Sequence, residues 1–113
     1  MRILVDGDGC PVVSIITEIA AAENLELIVY TDLNHQHQLD YGTLKVVDQG
    51  FQSVDIILCN QIVAGDIVIT SDYGLAALSL SRRAEVLGFS GRNFTDQNID
   101  RLLAKRHRQF KER

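Results

Sequence analysis

Two aspartates, Asp6 and Asp8, stand in the stretch ILVDGDGCPV, directly after an aliphatic run and just before the chain's single proline. A third, Asp72, follows a second apolar run, IVIT, and a fourth, Asp55, lies at what reads as a helix start. Carboxylates gathered in one place repel one another unless they share a proton or a cation. Hard oxygen ligands of this kind suit Mg²⁺ or Mn²⁺, which keep several waters and bind substrate phosphates. One or two such ions activate water and stabilise the leaving oxygen in phosphodiester hydrolysis. Each acid also has a plain structural reading. Asp6 and Asp8 fit a turn ahead of Pro11, Asp72 fits a helix N-cap, and Asp55 in a first helical turn complements the helix dipole. Asp66, after Gly65, fits a helix-to-strand turn.

A second chemistry competes for the same residues. DGDGC resembles the DxDG start of haloacid-dehalogenase-type phosphatases, which would make Asp6 the nucleophile and Asp8 the acid. That family needs a downstream lysine to hold the phosphoryl group, and the only lysine ahead of the C-terminal helical segment is Lys45. Cys10, close to a helix start, has a place where a thiol pKa can fall. No second cysteine lies at motif spacing, and a small residue packed beneath the turn explains it as well. His35 and His37, in NHQHQ, suit metal chelation, a polar loop or substrate contact. Ser71, beside Asp72, is a hydrogen-bond donor of the same neighbourhood, as is Thr70.

The elements that must position these groups follow from apolar periodicity. Strands are expected at Met1–Val5, Leu25–Tyr30, Leu44–Val47, Asp66–Thr70 and Ala84–Gly88. Helices are expected at Pro11–Asn24, Ser53–Val63 and Tyr73–Arg83, with a last helix capped by Thr95. In the first helix Val12, Ile15, Ile16, Ile19 and Ala20 make the apolar stripe. Cys59, among isoleucines of the second helix, belongs to the core. Strands alternating with helices predict an α/β sandwich around a mostly parallel sheet. Ligands in such sheets bind at the carboxyl ends of the strands, near a switch in strand order. That rule selects Asp6, Asp8, Ser71 and Asp72.

The 113 residues suit a single domain spanning 1–113, with ordinary globular composition. No apolar run approaches the roughly 20 residues that span a bilayer, and Asp6 and Asp8 interrupt the first apolar stretch where a leader would be. A cytoplasmic location without a membrane partner is expected. The net charge of -4 is unevenly spread. Acids dominate up to Ser81, whereas Arg82, Arg83, Arg92, Arg101, Lys105, Arg106 and Arg108 crowd the remainder. The basic end is either a solvated helix face or a surface for a polyanion.

Four segments carry a family resemblance: DGDGCPV (6–12), DQGFQSVD (48–55), AGDIVITSDYGLAAL (64–78) and GRNFTDQNIDRLL (91–103). Together they resemble the bacterial YaiI/YqxD family, which is grouped with PIN-like nuclease domains. The resemblance implies a PIN-like three-layer sandwich with a mostly parallel five-stranded sheet in the order 3-2-1-4-5, so that the first and fourth strands are neighbours. It implies a Mg²⁺ or Mn²⁺ site at Asp6, Asp55 and Asp72, with Asp8 as an added acid, and a nuclease acting on nucleic acid, RNA in the first place. A non-catalytic nucleic-acid-binding module on the same fold is the alternative. Such domains often pair as homodimers, although no apolar stripe here is plainly surplus to the core. Relatives often carry alanine at the positions of Gly7 and Gly9, which implies a more flexible turn in this chain.

Overall fold

The computed structural model describes residues 1–32, 37–48 and 53–111, with side chains through Lys105. His35 lies outside the described residues, as do the side chains of Arg106 and Arg108. The element order is β1 (Arg2–Asp6), α1 (Val13–Ala22), β2 (Glu26–Asp32), β3 (Thr43–Val47), α2 (Val54–Gln61), β4 (Ile67–Ile69), α3 (Tyr73–Ser81), β5 (Glu85–Leu87), β6 (Asn93–Phe94) and α4 (Asp96–Lys111).

The sheet runs β3-β2-β1-β4-β5-β6. Its first five strands are parallel, and β6 returns antiparallel to β5 through the pairs Val86–Phe94 and Leu87–Asn93. The expected five-strand order is therefore present, with a sixth strand at one edge. Two residues after a Gly-Arg loop carry no alternation that sequence could show, and Phe94 is held there by burial in the core.

The strands of the sheet's centre are buried on both faces, so their apolar runs are continuous. Leu4, Ile28, Val68 and Val86 point to one face, where they meet Val54 and Leu58 of α2, Leu75 and Ala76 of α3, and Ile99 of α4. Ile3, Val5, Leu27, Val29 and Ile69 point to the other, where they meet Val13, Ile16 and Ala20 of α1. The molecule thus has three layers.

The buried face of α1 is Val13, Ile16, Thr17 and Ala20. Ile15 and Ile19, expected in the core stripe, are each 54% exposed. One helix meets the sheet through about a third of its circumference, and α1 is the described helix of this cluster. Apolar surface is therefore left over after all.

The ends of the helices set the functional loops. Pro11 precedes α1 in a turn instead of opening the helix. Thr95 and Asn98 form a reciprocal cap: Asn98 N–H donates to Thr95 Oγ1 at 3.2 Å, and Thr95 N–H donates to Asn98 Oδ1 at 2.9 Å. Ser53 occupies the N-cap position of α2 without a side-chain capping bond. At the amino ends of the central strands, Asp66 is the structural residue expected. Its carboxylate accepts from Arg2 Nη2 at 2.7 Å, Arg2 Nε at 3.2 Å and Val63 N–H at 2.8 Å.

Candidate acidic site at the carboxyl ends of β1 and β4

Parallel pairing of Val5 with Ile69 brings the ends of β1 and β4 side by side. The next residues on each strand are Asp6 and Thr70, and the Thr70 hydroxyl donates to Asp6 Oδ2 at 2.9 Å. Thr70 Oγ1 in turn accepts from Asp72 N–H at 3.1 Å. A single buried hydroxyl therefore links the first acid to the backbone of the last.

Asp72 caps α3. Its Oδ1 accepts from Gly74 N–H at 2.8 Å and from Leu75 N–H at 3.1 Å. The structural reading of Asp72 is correct for that oxygen, and the residue also lines the cavity. Asp55 stands in the first turn of α2. Asp6, Asp8, Asp55 and Asp72 line one cavity of about 350 Å³, with Ser53, Ser71 and Phe89 among the other walls. Ser53 and Phe89 were not singled out from sequence, because neither has a pattern that points to a site. Ser71 Oγ accepts from Phe89 N–H at 3.2 Å, which ties the β4 and β5 loops together.

The electrostatics are those of crowded acids. Burial pushes the Asp6 carboxyl above the ordinary aspartate range. The Thr70 hydroxyl and the Asp8 backbone N–H pull it back, while the charges of Asp8 and Asp72 push it further up. No lysine or arginine is among the described residues of the cavity wall. Among the described residues, no three His, Cys, Asp or Glu side chains form a ready metal-binding group. The acids surround a space instead of closing on a point, which suits an ion that keeps part of its water shell.

Gly7 continues the edge of this site. Its N–H donates to Tyr30 O at 2.7 Å, and an added Cβ would lie 2.7 Å from that same oxygen. The turn is pinned against β2 there, so the expected flexibility does not hold at Gly7. Gly9, at φ +65°, has open space around it.

His37 reaches the motif from the segment after β2, with Nε2 2.9 Å from Gly7 O. A carbonyl only accepts, so Nε2 carries the proton in this contact. Cys10 is buried in the α1 cluster, and burial raises its thiol above the ordinary range. That is the packing reading, not an activated nucleophile.

The basic residues are dispersed. Arg92 lines a small cavity of about 120 Å³ with Ser71 and Ser90, so it adjoins the acidic cavity through Ser71. Arg82 and Arg83 follow α3 at the other edge of the sheet, where Arg83 O accepts from Gly65 N–H ahead of β4. The structure does not bring these two to the acids. Arg101 and Lys105 are exposed on α4.

The match to known proteins covers nearly the whole chain. Residues 4–113 match the model described as "Uncharacterized BCR, YaiI/YqxD family". A UPF0178 protein of Clostridium tetani is 48% identical over 107 residues, covering 95% of this chain and 73% of the relative. UPF0178 protein NT01CX_0440 of Clostridium novyi is 45% identical over 113 residues, covering 100% of this chain and 76% of the relative. Among solved structures, that of Rae1 (YacP) from Bacillus subtilis, a W164L mutant, superposes with a TM-score of 0.63 at 15% identity. It covers 99% of this chain and 85% of the other. That likeness is one of fold.

Proposed function

The chain belongs to the YaiI/YqxD family, and we propose that it is a PIN-like, divalent-cation-dependent nuclease that hydrolyses phosphodiesters, RNA being the first substrate to test. The observation that carries this reading is the shared cavity of Asp6, Asp8, Asp55 and Asp72 at the carboxyl ends of β1 and β4.

These residues fit a Mg²⁺ or Mn²⁺ ion. Oxygen is the only donor type they supply, and the Asp6 carboxyl, raised chiefly by burial and further by the charges of Asp8 and Asp72, is one whose ionised form a cation would favour. When bound, the ion supplies activation of water and stabilisation of the leaving oxygen. The chain's own groups then have separate tasks. Asp6, at the end of β1, and Asp72, at the N-cap of α3, would hold the cation, with Thr70 fixing the Asp6 carboxylate. Asp8 and Asp55 close the remaining sides. Ser71 presents a hydroxyl to a phosphate oxygen, and Arg92, one cavity away, meets the next phosphate of the strand. Arg101 and Lys105, exposed on α4, supply a longer-range positive surface.

The test is cleavage of mixed RNA and DNA substrates under Mn²⁺ or Mg²⁺ titration. Wild-type turnover that is lost in the Asp6→Asn, Asp72→Asn double variant is the expected result. Equal activity in the two proteins, or none under any divalent ion, overturns the reading.

A second reading is a binding module without turnover. It is favoured by the commitment of Asp72 Oδ1 to helix capping. Salt-dependent RNA binding that survives Asp72→Asn without cleavage would support it. The phosphatase reading is supported less, because the described acidic cavity has no lysine wall to hold a phosphoryl group.

A further inference from the structure

A larger hollow, about 660 Å³, runs along the flank of α1 on the side of the segment that follows β2. Cys10, Ser14, Glu18, His37, Asp40 and Tyr41 are among its walls. None of these residues serves the acidic cavity, but neighbouring residues of one turn line the two spaces. Asp6 and Asp8 line one, Cys10 and Pro11 line the other, and His37 is bonded to Gly7 between them.

The chemistry of the walls narrows the occupant. Glu18 and Asp40 are the carboxylates there, and no lysine or arginine is among the described lining residues. A phosphate is repelled by such a wall; a neutral group rich in N–H donors is welcomed. Two planar rings are held in place. Tyr41 OH donates to Leu25 O at 2.6 Å, and His37 is fixed by Gly7. Thr17 is spent on Val13 O at 2.7 Å. Acceptors from carboxylates and flat side walls are what an unpaired nucleobase uses for edge recognition and stacking. The volume falls in the range of small-molecule sites.

We infer that this hollow is a nucleobase subsite, taking an unpaired base beside the phosphodiester held at the acidic cavity, with guanine preferred. The inference deepens the nuclease reading and rests on it for its biological sense. Guanine is selected because its N1–H and N2 amino group lie side by side and match one carboxylate bidentately, whereas uracil offers a single N–H. Glu18 and Asp40, the carboxylates of the wall, would be the acceptors. The acidic cavity receives the phosphate and its cation, and the hollow reads the base.

The test uses free nucleosides, so that neither phosphate nor divalent ion is needed and the outcome does not depend on cleavage. Guanosine and uridine are titrated into the full chain while backbone amide NMR signals are followed. Guanosine is expected to shift the signals of residues 14–18 and 37–41 and to bind roughly tenfold more tightly than uridine, within the range a bidentate base contact gives. Glu18→Gln with Asp40→Asn is expected to erase the preference. Ser14→Trp, a change at an exposed helix position, is expected to fill the hollow and abolish the shifts. Shifts confined to other regions, equal binding of uridine, or an unchanged preference in the double variant each overturn the subsite. An inactive enzyme with intact guanosine selectivity would remove the nuclease reading alone.

Discussion

Thr70 Oγ1 donates to Asp6 Oδ2 at 2.9 Å across the β4–β1 pair, and accepts from the Asp72 backbone at 3.1 Å. This makes Thr70, itself fully buried, the hinge pin of the acidic site. The strands supply proximity, and the hydroxyl supplies orientation.

Thr70→Val keeps the shape and removes both bonds. It leaves a largely buried carboxylate oxygen and an amide without their partner, so a loss of about 1–3 kcal/mol in denaturant unfolding is expected. Cleavage activity should fall with it, since the Asp6 carboxylate is no longer aimed. Unchanged stability would show that water replaces the hydroxyl without cost.

Asp72 caps α3 through one oxygen and also lines the cavity, so two substitutions separate its roles. Asp72→Asn retains a good N-cap acceptor and should alter stability by only a few tenths of a kcal/mol, roughly. Asp72→Ala removes the cap and should cost about 1 kcal/mol. Both should abolish divalent-dependent activity. Thermal unfolding and cleavage measured on the same samples decide this, and an active Asp72→Asn protein would confine the residue to capping.

The amino ends of β1 and β4 carry a pH-dependent contribution to stability. Burial alone would raise the Asp66 carboxyl, but the Arg2 guanidinium and the Val63 N–H overcome it and hold the group below its ordinary value of 3.8. A carboxyl lowered in the folded state stabilises above its unfolded pKa, and that contribution disappears as pH falls through the lower folded value. Asp66→Asn should therefore cost about 2 kcal/mol at neutral pH, the scale of hydrogen bonds to a charged group. The difference from wild type should vanish in strong acid. Urea titrations at a series of pH values check it; a pH-independent difference would assign the loss to packing.

Much of this arrangement was legible in the sequence because it depends on order and period. The alternation of strands and helices placed Asp6 and Asp72 at one sheet edge, and the aliphatic runs before them gave the strands. What was not legible depends on which way a surface turns. Ile15 and Ile19 share helical spacing with Ile16, but only one flank of α1 meets the sheet. Arg82 and Arg83 read as part of a basic half, whereas the direction of α3 carries them away from the acids. The hollow beside α1 joins residues of a helix and of a connecting segment, so it leaves no periodic trace. β6 is too short to have one.

The nuclease reading requires a divalent cation held by the four aspartates. It is tested most directly by soaking crystals of the wild-type chain in Mn²⁺ and collecting anomalous diffraction. An anomalous peak is expected within the acidic cavity, bridging Asp6 and Asp72 directly or through water and lost in Asp6→Asn crystals. A cavity that stays empty at millimolar Mn²⁺, or a peak that survives Asp6→Asn, would contradict it.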